Sequence, residues 1–219
     1  MISKNALTVA AVLSGLVALA RGAPQPWPGF PNPGYLPGPA GFNITSVGIV
    51  GTGCPPGSTY YELHPERNAL TVVFSEHYVE IGPPGSGIPA SPKRNCRLSM
   101  GVYIPQGFTF SVASVDYRGY YGLDDRVTAS QTFEYFFQGQ LVQVPPRKDF
   151  VGPLNWRGYT YRDTIDPWDR AQSPCGGGSV LRVQNDLRVS NAMNPGGRGY
   201  VGTDSMVSTT GFGQGWDTE

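Results

Sequence analysis

Glycine and proline interrupt this chain so often that little room is left for a long helix. There are 30 glycines and 21 prolines among 219 residues, close to twice the usual combined share of about 12%. Proline removes a backbone donor and fixes φ, while interior glycine weakens any regular element. Between the interruptions, short runs alternate apolar and polar residues with the period of two that a half-buried strand requires. The runs are Ile44 to Val50, Thr59 to Leu63, Ala69 to Phe74, Tyr78 to Ile81, Cys96 to Ile104 and Phe108 to Asp116. Thr128 to Phe137 and Gln140 to Val144 follow, flanking a hairpin turn at Gln138-Gly139, then Trp156 to Tyr161, Ser179 to Val189 and a weaker run from Tyr200 to Met206. Ser179 to Val189 alternates most cleanly, with Leu181, Val183, Leu187 and Val189 on one side. Asn185 interrupts that side and calls for a buried hydrogen-bond partner or an edge position. No window of 11 residues carries a helical apolar pattern, so the fold class is all-β: an antiparallel β-sandwich, jelly-roll-like, in a single domain.

The ends of the chain read differently. Residues 1–22 have a positive start at Lys4, an apolar stretch from Leu7 to Ala20 and small residues beyond, the pattern of a signal peptide. The stretch is too short for a membrane anchor, and no later segment approaches the length needed. Residues 23–41, APQPWPGFPNPGYLPGPAG, hold seven prolines and four glycines and read as an extended arm. The sandwich is expected over 42–206 and a flexible tail over 207–219. Secretion implies an oxidising compartment, in which Cys54, Cys96 and Cys175 form one bridge and leave one thiol. Three pairings satisfy that count. Asn43-Ile44-Thr45 is a glycosylation sequon.

Sixteen basic and sixteen acidic side chains cancel, which gives no overall field for nucleic acid or an anionic membrane. His64 and His77 have no nucleophile elbow to serve, which argues against a His-dependent hydrolase. A glycosidase needs two facing carboxylates, and Asp116, Glu134, Glu76 and Glu80 lie on or beside strands. Asp163, Asp166 and Asp169 recur every third residue in a loop, an oxygen-rich set that would suit Ca²⁺. Asp116, Tyr117 and Arg118 end a predicted strand at Gly119, read as a turn or bulge. They form a candidate binding rim, either bracing the loop or presenting a sugar-binding surface. Tyr159 and Tyr161 share a strand face near Trp156, Tyr120, Tyr121 and Trp168, and form a candidate aromatic platform, against ordinary core packing.

Five pieces in register resemble the secreted fungal and bacterial family known as domain of unknown function 4360. They are Gly53-Cys54-Pro55, Arg94-Asn95-Cys96, Pro105-Gln106-Gly107-Phe108, Ser114-Val115-Asp116-Tyr117-Arg118-Gly119-Tyr120 and Ser173-Pro174-Cys175-Gly176. The resemblance spans about Ile44 to Val189 and implies a secreted, mostly β protein of unknown activity. Members often close with a Trp and a fourth Cys, whereas this chain ends Gly215-Trp216-Asp217-Thr218-Glu219 without that Cys. The function expected is that of a non-enzymatic extracellular protein contacting a cell-wall glycan or a host protein. The alternatives are a carboxylate-based glycan hydrolase and a host-directed effector or inhibitor.

Overall fold

The computed structural model describes residues 38–88, 91–140, 147–166 and 170–214. The strands are β1 (Asn43–Val50), β2 (Thr59–Leu63), β3 (Ala69–Phe74), β4 (Tyr78–Ile81), β5 (Lys93–Ile104), β6 (Phe108–Leu123), β7 (Thr128–Phe137), β8 (Arg147–Val151), β9 (Leu154–Thr164), β10 (Gly177–Ser190) and β11 (Gly199–Gln214). No helix forms among the described residues. One sheet runs β1-β5-β10-β7-β8; the other runs β2-β3-β11-β6-β9, with β4 also paired to β11. All pairings are antiparallel. The inner faces pack against each other, so the chain is the all-β sandwich its alternation predicts.

Two strands run further than expected, each through a bulge. In β6, Ser114 pairs with Thr209 and Val112 with Thr210, which leaves Ala113 as an extra residue. The inward positions therefore change from even numbers, Phe110 and Val112, to odd numbers, Val115 and Tyr117. The strand does not end at Gly119. It continues to Leu123, and a Cβ at Gly119 would strike the carbonyl of Gly202 on β11. In β11, Thr203 pairs with Gly119 and Ser205 with Arg118, which makes Asp204 the extra residue.

Residues 207–214 are not a flexible tail. They pair with β3 and β6 as the second half of β11, and the Phe212 ring lies 5.0 Å from Phe42 and 5.5 Å from Phe110. The last residues of the expected arm are also bound, since the Gly38 amide donates to the Glu66 carbonyl. The rest of the arm, residues 23–37, the signal-peptide pattern at 1–22 and residues 215–219 lie outside the described residues. After the turn at Gln138-Gly139, the segment that returns to pair with β7 is β8. Of the strand expected at Gln140 to Val144, residues 141–144 lie outside the described residues.

A polar layer divides the core. On β10, Leu181 and Val183 belong to one apolar cluster and Leu187 and Val189 to another, with Asn185 between them. Gln131 separates Phe133 from Ala129 on β7, Thr203 separates Met206 from Val201 on β11, and His77 lies between Phe74 and Val79. All four polar side chains are buried. Gln131 Nε2 donates to Thr203 Oγ1 at 2.6 Å and Asn185 Nδ2 donates to the same oxygen at 3.3 Å. Asn185 thus has the partner its position requires, on a strand flanked by β5 and β7. Burial pushes His77 down from 6.5 to about 4, against the pull of Asn185 and Asp186.

Of the three possible pairings, Cys54 bonds to Cys96 across 42 residues, and Cys175 stands outside the bridge. The Thr52 hydroxyl donates to Asn95 Oδ1 and the Gly53 amide donates to the Asn95 carbonyl, fixing the loop before β2 to the start of β5.

Two measurements follow from this core. Between pH 6.5 and about 4 the unfolded chain protonates His77 and the folded chain does not, so stability falls as pH falls through that window. The loss approaches 1.4 kcal/mol per pH unit and about 3 kcal/mol in total. Urea midpoints should follow that slope in the native chain and flatten in His77→Asn. Opening the bridge with Cys54→Ser and Cys96→Ser should cost about 4 kcal/mol by loop entropy, read in the same titrations.

Candidate functional site

The bulges decide which predicted site residues reach solvent. Tyr117, offered as part of a binding rim, is buried and stacks on Phe133. Asp116 faces outward and accepts from Arg162 Nε and Nη2, each at 2.7 Å, while Arg118 is exposed on the same side of β6. Asp116 lies on the outer face of one sheet and Glu134, between inward Phe133 and Tyr135, on the outer face of the other. The sandwich stands between them, so this carboxylate pair does not flank a common cleft.

Tyr159 and Tyr161 share a face as predicted, but it is the core face. The Tyr159 hydroxyl lies 3.2 Å from Gln131 Oε1 and 3.1 Å from the Gly202 carbonyl, within the polar layer. Burial raises its phenol to about 12, with Thr203 and Gln131 pulling the other way. Tyr161 packs against Phe150 and Tyr159, with the Lys148 ammonium 4.5 Å over its ring. Neither tyrosine forms a surface platform. Asp163 is half-buried on the inner side of β9, Asp166 is exposed, and Asp169 lies outside the described residues. Among the described residues no three acidic, His or Cys side chains gather to hold a metal.

The solvent side of the β4-β11-β6-β9 sheet carries what those tyrosines lack. In one row across the strands, Tyr78 pairs with Gly202, Gly202 with Tyr120 and Tyr120 with Gly158. In the next row, Glu80 pairs with Tyr200 and Tyr200 with Gly122, and the Trp156 indole lies over Gly122, where a Cβ would come within 2.7 Å of it. Aromatic and glycine positions thus alternate like a chequerboard, and the rings of Trp156, Tyr120 and Tyr200 lie over Gly122, Gly158 and Gly202. Tyr78 stacks on Tyr200 at 5.5 Å, and Trp156 reaches Tyr200 at 5.0 Å. The Arg94 guanidinium caps the free side of Tyr78 at 4.7 Å. Trp156 is 69% exposed and Tyr120 53%. A cleft of about 380 Å³ adjoins Trp156 and Tyr200, with Glu80, Asp124, Asp125 and Arg198 on its walls.

A sequence signal for this face exists. Tyr120-Tyr121-Gly122, Trp156-Arg157-Gly158 and Tyr200-Val201-Gly202 each place an aromatic two residues before a glycine, on one side of a strand. Tyr78 has no such mark, and only the pairing of β4 with β11 brings it in.

Residues 40–216 match the family model described as domain of unknown function (DUF4360). The chain belongs to that family. It is 33% identical over 174 residues to an uncharacterized secreted protein of Arthroderma benhamiae, covering 79% of this chain and 69% of the relative. This DUF4360 protein is secreted, as that relative is, and among its described residues no helix is long and apolar enough to cross a membrane. Among solved structures it is similar to TmCBM61 in complex with β-1,4-galactotriose, at TM-score 0.25 and 14% identity, over 75% of this chain and 89% of the other. It is also similar to the N-terminal cellulose-binding domain of Cellulomonas fimi β-1,4-glucanase C, at TM-score 0.23 and 10% identity, over 74% and 98%. Likenesses of this size leave the ligand to be argued from the chain's own residues.

The two inward tyrosines should separate in stability measurements. Tyr159→Phe removes a hydroxyl that satisfies buried acceptors and should cost about 1–3 kcal/mol. The Tyr161 hydroxyl has no partner among the described residues, so Tyr161→Phe should leave the denaturation midpoint unchanged or raise it.

Proposed function

We propose that this secreted DUF4360 protein is a non-enzymatic, wall- or surface-associated glycan-binding protein, and that Tyr78, Tyr120, Trp156 and Tyr200 form its contact face. The observation that carries the reading is the alternation of those rings with Gly122, Gly158 and Gly202 across four strands. A cluster of rings of which Trp156 and Tyr120 are mostly exposed is costly to leave wet and marks an interaction site. Pyranose rings present flat C–H faces that stack on such rings, while their hydroxyls need donors and acceptors at the side. Glu80, Asp124, Asp125 and Arg198 stand in the adjoining cleft to supply them. Strand spacing of about 4.8 Å makes the face roughly 14 Å wide, room for a short run of sugar units lying across the strands. Backing by sheet keeps the rings in place before binding, so little side-chain entropy is lost on contact.

Asn43 and Thr45 of the sequon are both exposed on β1, at the edge of the opposite sheet. A glycan attached there would leave the aromatic face clear.

The reading is tested by retention on insoluble cellulose, chitin, β-1,3-glucan and mannan. The native chain should be retained on at least one polymer, and Trp156→Ala combined with Tyr120→Ala should lower that retention at least tenfold. Tyr159→Phe should keep it. Retention on none of the four, or equal retention of the double variant, would overturn the proposal.

A further inference from the structure

The opposite face of the sandwich has a different chemistry. Across the outer side of the other sheet, Lys93 on β5 pairs with Arg188 on β10, Arg188 with Ser130 on β7, and Ser130 with Asp149 on β8. One row further, Ser190 pairs with Thr128 and Thr128 with Val151. These rows border an open groove of about 610 Å³ whose charged lining is Lys93, Arg188, Arg147 and Asp149. Arg147 is bonded to Asp149 at 2.8 Å, with both side chains mostly exposed. Lys93 and Arg188 form no ion pair among the described residues.

Two like charges directly opposite on neighbouring strands oppose folding. Here they stand beside the hydroxyls of Thr128, Ser130 and Ser190 in a groove, where an anion would relieve the repulsion. The groove is open at the surface and runs over several strands. It therefore suits a chain that lies along it better than an enclosed small molecule. Its hydroxyl groups match the sugar hydroxyls between successive negative charges. The lining has no aromatic platform for unstacked bases, since Phe150, its one ring, is buried in the second apolar cluster.

We infer that this groove binds an acidic polysaccharide of the polyuronate kind, with Lys93 and Arg188 pairing to carboxylates on the polymer. The site is separate from the aromatic face, on the other sheet. A chain with both sites can hold a neutral and an acidic polymer together.

The test uses soluble polygalacturonate at 50 and 200 mM NaCl, with duplex DNA as the competing polyanion. The native chain should bind polygalacturonate at 50 mM salt and bind about tenfold more weakly at 200 mM, the loss expected when two ion pairs release counterions. Lys93→Gln combined with Arg188→Gln should weaken binding at 50 mM at least tenfold and remove most of the salt dependence, with its urea midpoint equal to or above that of the native chain. Trp156→Ala should bind polygalacturonate normally, which separates this site from the aromatic face. Absence of binding at 50 mM, binding retained by the double variant, or equal affinity for duplex DNA would each overturn the inference.

Discussion

Two extra residues, Ala113 in β6 and Asp204 in β11, set the phase of the two most extensively paired strands in the protein. A strand shows alternate residues to alternate faces, so one inserted residue exchanges core and solvent for everything beyond it. Before Ala113, Phe110 and Val112 face the other sheet; beyond it Val115 and Tyr117 do. Asp116, Arg118, Tyr120 and Gly122 are sent outward by the same step. In β11 the shift at Asp204 keeps Tyr200 and Gly202 facing solvent while Met206 and Ser208 turn into the interior. Without both shifts, the aromatic positions of β6 and β11 would not share a face with the apolar side still buried.

The interior is organised by a second constraint. A sandwich of this length could have had a continuous apolar core, yet Gln131, Asn185, Thr203 and His77 cross it in one layer. Buried amides cost stability unless paired, and Thr203 Oγ1 serves both Gln131 and Asn185. Such partners exist in only one register of β7, β10 and β11, so the layer disfavours slipped pairings. Tyr159 extends it to β9. The cost is concentrated at His77, held neutral by burial, and this ties the stability of a secreted protein to the acidity around it.

The functional reading follows from what these constraints leave outside. One outer face is aromatic and almost free of side-chain bulk between its rings. The other is hydroxyl-rich with an unpaired Lys93–Arg188 step. Among the described residues no three acidic, His or Cys side chains gather on either face.

The sequence by itself determined the fold class, many of the turn positions and most strand cores, because period-two alternation is a local property of the chain. Family membership was legible too, from short pieces held in register between Gly53 and Gly176. Asn185 could be singled out as a buried polar residue because it breaks a regular apolar side. Tertiary structure alone decided which side of β9 faces the core. Tyr159 and Tyr161 share a face in any strand, and only packing against Gln131 and Phe150 makes it the inner one. Likewise the fate of residues 207–214 depended on a partner far away in sequence, since pairing with β6 and the Phe42–Phe110–Phe212 contact cannot be seen within a Gly- and Thr-rich segment. The choice of Cys54 and Cys96 as the bridge, and the convergence of Tyr78 with Tyr200, also depend on distance between remote residues. Alternation specifies that a strand has two sides, but the bulges and neighbouring strands assign each side to core or solvent.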